Sequence, residues 1–129
     1  MGIEDEEENQ ITFNQNNLNA VREGMKSVTS GESGTAYVRF KDFNIKVGGK
    51  TGSAEAGKDA NGNDIVNAWF AAFAPYDDPE IAVVVMVENG GHVNYTAEAV
   101  RNIMAEYFGM NTQNVTEDMQ AVSYTESMR

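Results

Sequence analysis

Two apolar runs, Ala68-Trp69-Phe70-Ala71-Ala72-Phe73-Ala74 and Ile81-Ala82-Val83-Val84-Val85-Met86-Val87, flank the hexapeptide Pro75-Tyr76-Asp77-Asp78-Pro79-Glu80. β-Branched residues dominate the second run, and its side chains are apolar whichever way they point, the pattern of a strand covered on both faces. The Pro- and Asp-rich hexapeptide has the chemistry of a turn. The three pieces predict a hairpin at the centre of a sheet.

Upstream, Tyr37, Val38 and Phe40 precede a stretch in which Phe43, Ile45 and Val47 alternate with the polar Asn44 and Lys46, which predicts a strand with one wet face. It runs on into Gly48-Gly49-Lys50-Thr51-Gly52-Ser53 and then into a polar loop around Gly57 to Asn63, where Asn61-Gly62-Asn63 signals a turn. Earlier still, Leu18, Val21, Met25 and Val28 recur at three- and four-residue steps with Arg22, Glu23 and Lys26 on the other face. This predicts an amphipathic helix capped by Asn16 or Asn17 and ended near Ser30-Gly31 by a glycine with positive φ. Downstream of Glu88-Asn89-Gly90-Gly91, Thr96 is a candidate cap with Glu98 in the first turn. Ala97, Val100, Ile103, Met104, Tyr107 and Phe108 form the stripe of a second helix that Gly109 ends. The order helix, three strands, helix predicts an α+β unit: an antiparallel sheet of at least three strands with the N- and C-terminal helices packed on one face. Residues 1–13 read as an acidic tail, residues 14–108 as the domain, and residues 109–129 as a polar tail.

Composition narrows the function. The 129 residues, 41% of them hydrophobic, suffice for one domain. Twenty acidic against nine basic residues give a net charge of -11, with Glu4, Asp5, Glu6, Glu7 and Glu8 forming an acidic block. Such a charge repels a phosphate backbone or an anionic lipid surface, so no nucleic-acid partner is expected. The absence of cysteine excludes a disulfide framework, a Cys-ligated zinc and a thiol nucleophile. Ile81 to Val87, an apolar run no shorter than any other, is far short of the roughly 20 residues a spanning helix needs, and the N-terminus is acidic where a leader peptide would be basic. The expectation is a soluble chain with no membrane segment and no signal.

The segment with most chemical content is Lys50-Thr51-Gly52-Ser53. An ammonium, two hydroxyls and a residue without a side chain at the end of a strand form a short cationic ledge for an extended anionic ligand, and Gly52 lets that ligand approach the backbone. Other polar residues are better explained without function. His92 is the only histidine and has no partner cluster. Trp69 and Phe70 suit packing under the sheet better than stacking on a ligand. Asp77 and Asp78 lie in a Pro-bounded turn and are expected to be solvated. Asp59, Asn61 and Asp64 lack the spacing and closing Glu of a calcium loop, so no metal is expected.

The stretch Val47 to Glu55, followed by Ala68 to Pro75 and the run into Val87-Glu88-Asn89, resembles the C-terminal part of the penicillin-binding protein transpeptidase domain, and the class B, monofunctional enzymes in particular. Val21-Arg22-Glu23-Gly24-Met25, Gly34-Thr35-Ala36 and Ala99-Val100-Arg101-Asn102-Ile103-Met104 fit the same family in order and spacing, so the likeness covers about residues 14–108. It implies a penicillin-binding/β-lactamase-like fold and an acyl transfer, in which the Ser of an S-x-x-K motif attacks the D-Ala-D-Ala end of a peptidoglycan stem peptide or a β-lactam, with S-x-N and K-T-G completing the site. By resemblance, Lys50 supplies positive charge toward the substrate carboxylate and polarises the S-x-N serine. Thr51 and Ser53 offer hydroxyls to that carboxylate, Gly52 keeps the strand open, and the Ser53 backbone N–H is an oxyanion-hole donor. No cofactor is implied.

The sequence departs from the family pattern in one respect. None of Ser27, Ser30, Ser33, Ser53, Ser123 and Ser127 has Lys three positions later or Asn two positions later. No nucleophile is therefore assigned in this chain, and the implied partner is a complementary N-terminal half carrying S-x-x-K and S-x-N. A fragment of a serine β-lactamase, a β-lactam sensor or a D,D-carboxypeptidase, and a non-catalytic truncated or engineered module for folding or interaction, are the alternatives. Family members are anchored by a membrane helix with this domain outside the cytoplasmic membrane, an implication of the resemblance alone. Without the helices that cover the other sheet face in the family, the chain is expected to expose an apolar patch and to associate.

Overall fold

A computed structural model of the chain describes residues 12–91 and 95–110. His92 and most of the two expected tails lie outside the described residues. The elements run α1 (Gln15–Ser30), α2 (Tyr37–Phe40), β1 (Gly48–Lys58), β2 (Asp64–Ala74), β3 (Ile81–Val87) and α3 (Tyr95–Tyr107). The three strands form one antiparallel sheet in the order β1-β2-β3. The expected α+β architecture is present.

The hairpin forms as expected, with Trp69 opposite Met86 and Ala71 opposite Val84, but β2 rather than the pair is central. Among the described residues β3 is an edge strand, and Ala82, Val84 and Met86, the outward half of its two-sided apolar pattern, are exposed. The expected strand over Phe43 to Val47 is a correction. Phe40 ends the short helix α2, the Phe43 N–H donates to the Phe40 carbonyl at 2.9 Å, and the two rings meet edge to face at 5.8 Å. The alternation there comes from turns that dip Phe43 and Ile45 into the core, and the strand starts at Gly48. It also continues to Lys58, so the loop before β2 is shorter than the polar composition implied.

The core lies on the sheet face that carries Ala68, Phe70, Ala72 and Ala74, which alternate with more exposed residues along β2 as a pleated strand requires. Ala97, Val100 and Met104 of α3 close over this face, and Val28 of α1 packs against the same cluster. Phe70, fully buried, stacks on Phe40 with centroids 5.9 Å apart. A Cβ on Gly49 would lie 2.6 Å from the Phe70 ring and one on Gly48 2.5 Å from that of Phe73. The two aromatic rings occupy space that those residues leave empty.

Both helix ends show the competition between capping and packing. Asn14, not Asn16 or Asn17, caps α1, its side chain accepting from the Asn16 and Asn17 N–H groups. Gly31 ends α1 with φ -77° and ψ 135°, so it leaves the helix by extended backbone rather than by a positive φ. At α3, Gly109 does adopt φ +67°. Its N–H donates to Glu106 and that of Met110 to Ala105, the paired bonds of a Schellman end. Thr96 is not a cap but a buried residue of the first turn of α3, and Ile103 and Tyr107 of the expected stripe are exposed.

The largest departure concerns which face of α1 is buried. Leu18 and Val21 are exposed, while Arg22 and Lys26, assigned to the wet face, lie over aromatic rings at the β2–β3 turn. The Arg22 guanidinium stands 5.4 Å from the Phe73 centroid and 5.1 Å from that of Tyr76, and it donates to the Tyr76 carbonyl. The Tyr76 hydroxyl donates to Glu23 at 2.9 Å, and Lys26 bridges to Glu23 at 2.8 Å. Long cationic side chains bury their stems along apolar surface and keep their charge on a ring face or a carboxylate, so a helix can turn a formally polar face inward.

Two measurements check this account. Phe70→Ala removes the most enclosed large side chain and is expected to cost about 3–5 kcal/mol, a large fraction of the stability of a domain this size, in a denaturant titration. Bonds from Lys26 and then Tyr76 hold the Glu23 carboxyl below the usual carboxylate range. A depressed carboxyl contributes stability that is present above its unfolded value and lost as pH falls through the folded one. The melting-temperature difference between wild type and Glu23→Gln is therefore expected to be largest near neutrality and to shrink below about pH 4; a difference that ignores pH contradicts the assignment.

Candidate substrate-binding strand

Lys50, Thr51, Gly52 and Ser53 are consecutive on β1, facing Ala71, Phe70, Trp69 and Ala68 of β2 respectively. Among the described residues β1 pairs on one side only, so this segment runs along a free sheet edge. Side chains alternate, so Lys50 and Gly52 share the outward face with Ala71 and Trp69, while Thr51 projects toward the side of Phe70. Lys50, Gly52 and Ser53 are exposed and Thr51 is half-buried. The Lys50 Nζ donates to the Thr51 carbonyl oxygen at 2.6 Å. A Cβ on Gly52 would come within 3.3 Å of the Trp69 Cβ, so glycine here leaves the strand surface low beside the indole.

Two hydroxyls from the α1 end of the molecule bracket this segment. The buried Thr29 Oγ1 donates to the Val47 carbonyl at 2.6 Å, one turn of chain before Lys50. The Thr35 Oγ1 lies 3.2 Å from the Thr51 Oγ1. Sequence reading gives Gly34-Thr35-Ala36 only as part of the family pattern and assigns nothing to Thr29. The turn is bonded back onto α1, with Ala36 N–H donating to the Val28 carbonyl at 3.0 Å. A Cβ on Gly34 would lie 2.3 Å from the Ser27 carbonyl oxygen, so only glycine permits this close approach.

The acidic residues weighed as alternatives have structural employment. Asp59 accepts from the Asn61 and Asn63 N–H groups at 2.8 Å each and from the Asn63 side chain, bonds that hold its carboxyl below the usual range and staple the β1–β2 turn. Asp64 pairs with Lys58, and Asp77, exposed like Asp78, lies 3.6 Å from Lys46.

A model of the penicillin-binding protein transpeptidase domain matches residues 2–107. The chain belongs to this family. It is 34% identical over 109 residues to the peptidoglycan D,D-transpeptidase MrdA of Haemophilus influenzae, a match covering 74% of this chain and 16% of that protein. The penicillin-binding protein PBP2 of Pseudomonas aeruginosa superposes with a TM-score of 0.64 at 31% identity, over 76% of this chain and 21% of that one. Penicillin-binding protein 2B of Streptococcus pneumoniae superposes with a TM-score of 0.68 at 27% identity, over 81% and 18%. The chain thus spans about a fifth or less of the length of these relatives. Among the described residues, no helix is long and apolar enough to cross a membrane.

The outward face beside Lys50 carries Trp69 (39% exposed), Val84 (62%) and Met86 (39%). Singly exposed apolar residues are ordinary, but contiguous ones are a contact surface. The pair Val84→Lys and Met86→Lys is expected to reduce both binding of a hydrophobic dye and self-association in sedimentation, leaving the melting temperature nearly unchanged. A wild-type chain that is strictly monomeric and binds no dye contradicts this reading of the face.

Proposed function

We propose that this chain forms one wall of the active-site cleft of a peptidoglycan D,D-transpeptidase and that β1 is the strand along which the stem peptide, or a β-lactam in its place, is bound. The observation that carries the reading is the placement of Lys50-Thr51-Gly52-Ser53, in family order, on an exposed edge strand beside an uncovered apolar face. Lys50 supplies the positive charge that draws the substrate carboxylate. The hydroxyls of Thr51 and Ser53 bind that carboxylate, and the Ser53 N–H stabilises the oxyanion that develops at the attacked carbonyl, a contribution of about 3 kcal/mol for a donor of this kind. The nucleophilic serine comes from a segment bearing S-x-x-K that covers the Trp69, Val84 and Met86 face. It attacks the penultimate D-Ala carbonyl, the terminal D-Ala departs as a free amino acid, and the acyl group passes to an acceptor amine. The complete enzyme is read, from the family, as anchored with this domain outside the cytoplasmic membrane. The names of the relatives favour transpeptidation over β-lactam hydrolysis.

Intact-mass spectrometry after incubation with a β-lactam tests this. The chain alone is expected to gain no adduct, whereas an S-x-x-K half supplied in trans is expected to be acylated in its presence. Lys50→Ala is expected to slow that acylation on the order of 100-fold. A covalent adduct on this chain by itself would overturn the assignment of the nucleophile to another segment.

A further inference from the structure

The reading above leaves one contact without a role: the hydroxyl of Thr35, in the turn after α1, stands 3.2 Å from that of Thr51 on the candidate substrate-binding strand. The approach is not incidental to a loose loop. Gly34 lies so close to α1 that a Cβ there would overlap the Ser27 and Val28 carbonyl oxygens, at 2.3 and 2.5 Å. The Gly34 N–H donates to Gly31, the Ala36 N–H donates to Val28, and Ala36 is buried. The turn is thereby fixed to the helix on both sides of Thr35. The same helix fixes β1 through the buried bond from Thr29 to the Val47 carbonyl. Helix, turn and strand form one rigid unit that sets the distance between the two hydroxyls.

We propose that Thr35 is a positioning residue for carboxylate recognition. Its hydroxyl donates to the Thr51 oxygen, and this directs the Thr51 proton away from Thr35 and toward a carboxylate lying along β1. A hydroxyl is donor and acceptor at once and rotates to suit its neighbours. When one neighbour fills its acceptor site, the remaining proton is aimed, and a chain of two hydroxyls ending on an anion polarises in one direction. Without Thr35 the Thr51 hydroxyl rotates freely and meets the carboxylate at an entropic cost. The inference rests on the proposed role of β1, and it adds to it a residue outside the Lys50 to Ser53 segment.

The experiment uses the enzyme in which these residues are joined to their S-x-x-K segment and compares acylation rate constants for a penicillin and for its methyl ester, which lacks the anionic carboxylate. Thr35→Val is expected to slow acylation by the acid about three- to tenfold, the effect of one hydrogen bond, while leaving the ester within about twofold. Thr35→Ser is expected to restore the acid rate. In a Thr51→Val background, Thr35→Val is expected to add nothing, because the coupling partner is gone. Equal losses for acid and ester, no loss for either, or a full additional loss in the Thr51→Val background would each overturn the inference. Lys50→Ala separates the two levels of the argument. If acylation by the acid ignores Lys50, the reading of β1 fails and this inference falls with it; if Lys50 matters and Thr35→Val does not, the inference fails alone.

Discussion

Phe70 occupies a fully buried position between the strand that bears Lys50 and the helices that cover the sheet. Its ring fills the space above Gly49, stacks on Phe40, and lies in the cluster that includes Ala97, Val100 and Met104 of α3. Because interiors are packed to crystal density, a ring in this position constrains its neighbours by volume as much as by attraction. It requires glycine at position 49, the residue directly before the Lys50 to Ser53 segment. Lys50 and Gly52 owe their exposure to the same arrangement, since they lie on the outward face and the bulk that holds the strand comes from the other side of the sheet.

Polar contacts then tune a position that apolar packing establishes. Thr29 ties the start of β1 to α1, and Thr35 reaches the middle of the candidate segment from the following turn. At the same end of the sheet, where Gly48 lies opposite Phe73, Arg22, Glu23 and Lys26 hold the β2–β3 turn through Tyr76. Helix α1 therefore holds both the start of β1 and the neighbouring β2–β3 turn, although little of its surface is buried. Each such bond contributes only about 1 kcal/mol net, but all of them connect elements that are distant in sequence and so fix relative orientation.

The sheet is unequal on its two faces. The face under α3 is closed, whereas the face with Trp69, Val84 and Met86 is open and adjoins Lys50. An open apolar face backed by a packed core is a rigid surface of the kind that takes part in contacts. This inequality also explains why the run Ile81 to Val87 is apolar on both sides while its outward side chains are exposed in this chain.

Much of the fold was legible from local pattern. The hairpin, the two main helices, the Gly109 end of α3 and the antiparallel order all follow from periodicity, turn residues and length, which are properties of neighbouring residues. The family motif also placed Lys50, Thr51, Gly52 and Ser53 on a strand. Three features were decided by the tertiary structure. Phe43 to Val47 alternates like a strand but turns into the core, because alternation reports only which side chains are buried and not whether a partner strand exists. Helix α1 presents Arg22 and Lys26 to the sheet, because aromatic rings brought near by the hairpin accept cationic side chains that a hydrophobicity pattern counts as wet. Thr35 meets Thr51 across sixteen residues of chain. One-dimensional pattern carries the burial of each residue, but a contact between two hydroxyls depends on the packing of a helix, a turn and a strand together, and that packing is set by the volumes of Phe70 and its neighbours.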